Sequence, residues 1–399
     1  MPHGMWHNHL VCYPMMESLV PDNKSHHYVP RFYLRNFSKS GKSIDLFNID
    51  SQRQIKNAPI KGQCCRDYFY GKSPENEKSL SAAEGEVAQL FRLIKEQARL
   101  PHDFTAGHFL LCFHIATQAG RTQYAADTVN ALTDGMMREY LKHDPSITQD
   151  MLAQVRFGYD DPALISTAQG AISFPLLMDL ECRVLLAPRG TEFITSDNPV
   201  VKYNQFMMWR TDGSNTGIAS KGLQIFFPIL PFLTLVMYDR DVYHFGNARS
   251  ALVHMASPID VHELNMLQVA SASKNVYTFT SAANIFKVTQ DAAKYRRKKK
   301  VAVRAFPQPS EGSRESEIIA ASHEDIRMNA ILGFMRVHKR AKTWLRDFRS
   351  KRYQPAVVVR DDTLMTRFEA HVEAVKCGKT TPEDVIKNVF GKTIVDGTF

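Results

Sequence analysis

No two of the six cysteines, Cys12, Cys64, Cys65, Cys112, Cys182 and Cys377, stand in a C-x-x-C spacing. Neither a disulfide framework nor a zinc knuckle is therefore written in the chain. Reduced thiols in an intracellular protein are the expected state, with Cys64 and Cys65 a buried structural pair in preference to a redox or metal couple. No apolar run reaches the about 18 residues that a membrane helix needs, and the N-terminus lacks the apolar stretch of a signal peptide. Secretion and membrane insertion are not expected; a cytoplasmic location is. Also missing are G-x-x-x-x-G-K-[ST], a G-x-G-x-x-G after a strand, H-E-x-x-H and G-x-S-x-G. Their absence removes the motif-based readings as a common nucleotide-binding fold, a zinc protease or an α/β-hydrolase.

What the chain has is ordinary globular material. Its 399 residues are 44% apolar and 23% charged, enough to bury a substantial core, and at roughly 100–200 residues per domain they imply two or three domains. The formal charge of +9 draws polyanions towards the molecule without identifying one. The excess is biased to the C-terminal third, in Arg296, Arg297, Lys298, Lys299 and Lys300 and again in Arg336, Lys339, Arg340, Lys342, Arg346, Arg349, Lys351 and Arg352.

Periodicity predicts an α+β fold: a helical layer over about 80–160, packed on a mostly antiparallel sheet over about 175–280, with a C-terminal helical extension. Residues 79–100 carry Leu80, Val87, Leu90, Phe91 and Ile94 at helical spacing, and 105–130 reads as a second helix. After Pro175 short runs rich in branched and aromatic residues, at 182–187, 192–195, 224–229 and 232–238, alternate with Pro and Gly, which is strand and turn chemistry. A helix is expected over 261–272, a strand over 275–279, a long helical segment over 318–349 and a final helix over 381–390 capped by Thr381. The expected organisation is an N-terminal extension (1–24), a core domain (25–285), a basic segment and linker (286–316) and a C-terminal helical region (317–399). In the extension, His3, His7 and His9 are read as part of a frayed terminus in preference to a metal site.

Three constellations carry chemistry. The run Ser25-His26-His27-Tyr28-Val29-Pro30-Arg31-Phe32-Tyr33-Leu34-Arg35-Asn36-Phe37 concentrates imidazoles that can transfer protons and guanidinium groups that can grip phosphate. Equally, His26 and His27 can bond to backbone, Tyr33 can pack and the arginines can pair with acids such as Glu84 or Glu86. On the second helix, His114, Gln118 and Arg121 form a polar stripe beside Phe109, Leu110, Leu111, Phe113 and Ile115. Buried without partners, each would cost roughly 1–3 kcal/mol, so the stripe either lines a cavity or pairs structurally. In Phe193-Ile194-Thr195-Ser196-Asp197-Asn198-Pro199-Val200 a strand runs into an Asx-type turn, and turn formation is the default reading. Ser196, Asp197 and Asn198 remain site candidates, and a hard cation would need Asp197 plus a further carboxylate, for which Glu84 or Glu86 could serve.

The run His26–Phe37 resembles the N-terminal signature of an uncharacterised, mainly bacterial family, domain of unknown function 4238. Gln118-x-x-Arg121-Thr122, FITSDNPVV at Phe193–Val201 and Asn265 in LNMLQVASASKNVY resemble it further, in order, over about residues 25–280. The resemblance implies positions and no mechanism: His26, His27, Arg31, Tyr33, Arg35, Gln118, Arg121, Ser196, Asp197, Asn198 and Asn265.

Two functions follow as expectations. The first is a phosphodiester hydrolase of nuclease type, with His26 or His27 as general acid and base and Tyr33 and Asp197 in the catalytic set. Arg31, Arg35, Arg121, Gln118, Ser196, Asn198 and Asn265 would bind substrate, with Asp197 orienting a histidine or holding a divalent metal ion, and the basic C-terminal segments would follow nucleic acid. The second is a non-catalytic binding or sensor module for a small anion or nucleotide.

Overall fold

The computed structural model describes residues 24–389 apart from 98, 211–213, 248–249, 281–282, 297–300, 309–315, 324, 331, 352–354, 356 and 379–388. The N-terminal extension, the run Arg296–Lys300 and the final helix expected over 381–390 thus lie outside the described residues, save Lys24, Arg296 and Val389. The first part of the core gives β1 (Ser25–His27), α1 (Arg31–Arg35), a hairpin of β2 (Ser43–Asn48) and β3 (Arg53–Pro59), and β4 (Cys65–Asp67). Helices α2 (Pro74–Gln97), α3 (Ala106–Gly120), α4 (Gln123–Leu141), α5 (Gln149–Gln154) and α6 (Pro162–Ser173) follow. Strands β5 (Glu181–Leu186), β6 (Thr195–Ser196), β7 (Val201–Tyr203), β8 (Gln224–Leu230), β9 (Leu233–Tyr238), β10 (Tyr243–His244) and β11 (Leu252–His254) come next, then α7 (Pro258–Ser271), β12 (Asn275–Thr278) and α8 (Ile285–Ala292). The remainder forms β13 (Val301–Gln308), β14 (Ser316–His323), β15 (Arg336–Val337), α9 (Lys339–Ser350) and α10 (Asp362–Lys376). The α+β class and the mostly antiparallel pairing are as expected from the sequence.

A five-stranded sheet in the order β11-β5-β9-β8-β7 is the central layer, antiparallel except where β11 runs parallel to β5. Successive side chains on a strand face opposite ways, and β8 and β9 are buried on both faces. Ile225, Phe227, Ile229, Leu235 and Met237 therefore join one core with α1, α2 and α3, while Phe226, Val236 and Tyr238 join a second core with α7, α8 and the C-terminal segment. A four-stranded antiparallel sheet, β3-β2-β12-β6, flanks this layer.

Two expected elements come out differently. The helix expected over 105–130 is broken at Arg121 and Thr122, because the Thr122 hydroxyl accepts the Ala125 amide at 3.2 Å and caps α4. The segment 318–349 opens as a strand: β14 pairs with β13 along its whole length, and Ile326, Met328, Ala330 and Leu332 then bury every second residue in the second core. Alternation of that kind belongs to extended chain, and the helix begins only at Lys339. Among the described residues no helix is long and apolar enough to cross a membrane.

Candidate functional site

The first constellation is built on a short ribbon. Strand β1 pairs with β4, His26 opposite Arg66 and His27 opposite Cys65. The His26 ring is fully buried, stacks on Tyr70 at 5.8 Å and accepts the Tyr70 amide at Nδ1 over 3.3 Å. His27 is half-buried and donates from Nδ1 to the Gln63 carbonyl at 3.0 Å. This bond fixes the tautomer and leaves the lone pair on Nε2. Burial lowers the His27 pKa, the Gln63 bond opposes that, and the charges of Arg31 and Arg121 lower it further. Arg31 and Arg35 are exposed on the outer face of α1.

Gln118 and Arg121 close over the same ribbon from the α3 end. Gln118 Nε2 donates to the Tyr28 carbonyl at 3.0 Å. The Arg121 guanidinium, 4% exposed, donates to the Tyr70 hydroxyl (2.9 Å), Glu84 (2.8 Å) and the His27 carbonyl (2.8 Å). The helix break is what turns this side chain inward. His114, one turn before Gln118, sits among the rings of Phe32, Phe91 and Phe227 at 5.3–6.2 Å, and burial, with the Arg121 charge adding, pushes its pKa down to about 3.

The third constellation is held by α7. The Asp197 carboxylate accepts the amides of Ser273 (2.8 Å), Lys274 (2.7 Å) and Asn275 (3.0 Å), so it caps the turn from α7 into β12. Burial pushes its pKa up, against the pull of those amides and of Arg296. Asn198 donates to the Ser271 carbonyl and hydroxyl, both at 3.0 Å, and Gln268 donates to the Ser196 hydroxyl at 2.6 Å. Asn265 accepts the Ile194 amide (3.0 Å) and donates to the Glu192 carbonyl (2.9 Å). All four residues expected to be catalytic, His26, His27, Tyr33 and Asp197, thus bond inside the protein.

Tyr33 joins the first and third constellations: its hydroxyl bonds Thr195 Oγ1 and the Pro228 carbonyl, both at 2.6 Å, and its ring stacks on Phe227. A second link runs through Cys64, whose backbone takes a φ of 50° and whose thiol lies 3.1 Å from the Tyr277 hydroxyl. Cys64 is buried as expected, whereas Cys65 is partly exposed. Asp197 does not meet Glu84 in a cation site, since Glu84 pairs with Arg121. No cluster of three metal-ligating side chains occurs among the described residues.

A cleft of about 410 Å³ opens beside these networks at the β2–β3–β12 sheet, with Lys39, Lys56, Asn57, Gln54, Thr278 and Phe279 among its lining residues. Residues in and beside the motifs shape it. Phe37 ends the first constellation, Asp197 clamps the turn that starts β12, and the Glu192 carboxylate accepts both the amide and the hydroxyl of Thr280. Opposite, Asn57 takes a φ of 54° and gives its amide to Asp45 at 2.8 Å, where the β2–β3 register shifts. Such a bulge re-aims the neighbouring side chains. Lys39 Nζ lies 6.0 Å from the Phe279 ring centre. Sequence reasoning missed this cleft, and with it Lys39, Lys56, Gln268 and Glu192. Gln268 lay in a recognised motif but carried no signal of its own.

The model of a family described as "Protein of unknown function (DUF4238)" matches residues 25–282. The chain belongs to this family. Its matched region takes in all three constellations and every strand of the two larger sheets. No curated protein and no solved structure matches the chain.

Proposed function

We propose that the DUF4238 core is a non-catalytic binding module for a small anion or nucleotide, with the cleft beside β12 as its site. One observation carries the reading: a cleft lined by Lys39, Lys56 and Phe279 opens where Phe37, the last residue of the first constellation, meets β12, whose starting turn Asp197 of the third constellation holds. Its volume falls within the range of small-ligand sites, about 300–1,000 Å³. Lys39 and Lys56 would meet phosphate, Phe279 would stack on a base, and Asn57, Gln54 and Thr278 would supply directional hydrogen bonds. The unpaired thiols of Cys64, Cys65, Cys112, Cys182 and Cys377 fit a cytoplasmic setting for this module.

Equilibrium dialysis of the full chain against labelled ATP, AMP and inorganic phosphate tests the reading. We expect retention of at least one probe, unchanged on recovery, and a loss of at least tenfold in affinity in Lys39→Ala/Lys56→Ala. Equal retention by that variant would reject the cleft.

A second reading, phosphodiester hydrolysis, rests on His27. Its Nε2 lone pair and lowered pKa suit a general base at neutral pH, and Arg31 lies close enough to act on it electrostatically and to hold a phosphate. In this reading Arg121 and Asp197 position the base and bind neither phosphate nor metal. Incubation of labelled RNA and DNA, with and without magnesium or manganese, would show cleavage lost in a folded His27→Ala variant; intact strands with wild-type protein would dismiss hydrolysis.

A further inference from the structure

Helix α9 lies outside the family-matched region and carries Lys339, Lys342, Arg346 and Arg349 at steps of three, four and three residues, which places them on one stripe. All four are exposed. At 1.5 Å per residue the stripe is about 15 Å long. Arg346 lies 3.5 Å from the Asp347 carboxylate, with both side chains mostly in solvent, and the neighbouring Arg340 pairs with Asp241.

This arrangement works against folding. Like charges three and four residues apart repel, and Lys339 and Arg340 occupy a first turn that has no acid, where the helix dipole disfavours cations. The opposite face of α9 explains how the helix holds. Ala341 and Phe348 are buried, Trp344 stacks on Phe348 at 4.7 Å and on Phe206 at 5.9 Å, and Trp209 packs edge-on against Phe348. The surrounding rings also hold cations: Lys221 lies over Trp344 at 5.4 Å, and Arg349 of the stripe itself lies over Trp209 at 4.5 Å.

From this geometry we infer that α9 is a nucleic-acid-binding surface, its stripe lying along the phosphate backbone without reading bases. Basic amphipathic helices also bind membranes, but they do so by sinking an apolar face into lipid. Here that face is occupied by the protein's own core, which leaves only the charges to meet a partner. A row of fixed cations about 15 Å long matches about four phosphates of one strand at 3.4 Å of helix axis per phosphate. The core packing fixes the backbone that carries the row, so binding has to order only the side chains. The surface is separate from the cleft, and its test stands apart from the cleft's.

Binding of the full chain to fluorescent 20-base-pair DNA and to single-stranded RNA would be measured across a salt series, with Lys339→Gln/Lys342→Gln/Arg346→Gln and the charge-keeping Lys339→Arg/Lys342→Arg/Arg346→Lys as variants. We expect the glutamine variant to lose at least tenfold in affinity at low salt. Its slope of log K against log salt should become shallower by roughly 2.7 on duplex and 2.1 on single strands, three contacts at about 0.9 and 0.7 each, while the charge-keeping variant stays within twofold of wild type. Equal affinity of the glutamine variant and wild type would overturn the inference, as would absence of nucleic-acid binding together with co-sedimentation on phosphatidylserine vesicles.

Discussion

The network around Arg121 and Asp197 and the helix α9 are both crowded with groups that could bind or react, yet they differ in what those groups meet. In the network the polar side chains bond inside the protein, many of them to a backbone amide or carbonyl at 2.7–3.0 Å. On α9 the stripe cations Lys339, Lys342, Arg346 and Arg349 are exposed, and such pairs as they make, Arg346 with Asp347 and Arg349 over Trp209, lie at the surface. The lesson is that density of reactive residue types says little about availability. Burial forces polar groups to find partners, so a cluster that folds into the interior is spent on the fold, whereas a cluster on a surface helix keeps its charge for something else.

That contrast can be tested from its strong end downwards. Arg121→Ala would leave Glu84 without its cation and take a donor from the Tyr70 hydroxyl and the His27 carbonyl, and removing one partner of a buried pair typically costs about 3–5 kcal/mol. Urea denaturation should show a loss of that size, with Arg121→Lys recovering little because one ammonium cannot reproduce the planar fork. Asp197→Ala should cost about 3 kcal/mol by leaving three amides without an acceptor, read as a fall in melting temperature of roughly 6–12 °C. An unchanged melting temperature would instead make Asp197 a free functional carboxylate and dissolve the contrast.

His114 sharpens the comparison through pH. Its folded pKa of about 3 lies below the ordinary 6.5, so below pH 6.5 the unfolded chain takes up the proton first. The stability held above pH 6.5 is then lost as pH falls towards 3, at up to about 1.4 kcal/mol per unit. His114→Phe, set among three phenylalanine rings, should flatten this acid limb of the stability curve while leaving stability at pH 7 equal or higher. At the weak end, Lys339→Gln/Lys342→Gln/Arg346→Gln should leave denaturation midpoints within about 0.5 kcal/mol of wild type; a larger fall would mean that α9 serves the fold as the network does.

Much of the architecture was legible. The runs that became β5, β8, β9 and α7 announced themselves by branched residues and by helical spacing, because propensity and burial pointed the same way there. The break between α3 and α4 was harder to see: Thr122 is a good cap, but it stands inside an apolar pattern that continues across it. The alternation at Ile326, Met328, Ala330 and Leu332 was written in the chain, yet helix-favouring Ala, Leu and Met obscured it.

For the candidate site the division is sharper. The sequence by itself determined the α+β class, the family and the positions of the motif residues, since these depend on local spacing and residue type. Only the tertiary structure decided that Asp197 caps a turn some 76 residues away, that Arg121 grips the His27 carbonyl of β1, and that Lys39, Lys56 and Phe279 share one cleft. Those contacts join parts of the chain far apart in sequence, where no short-range pattern constrains which partner satisfies a buried polar group.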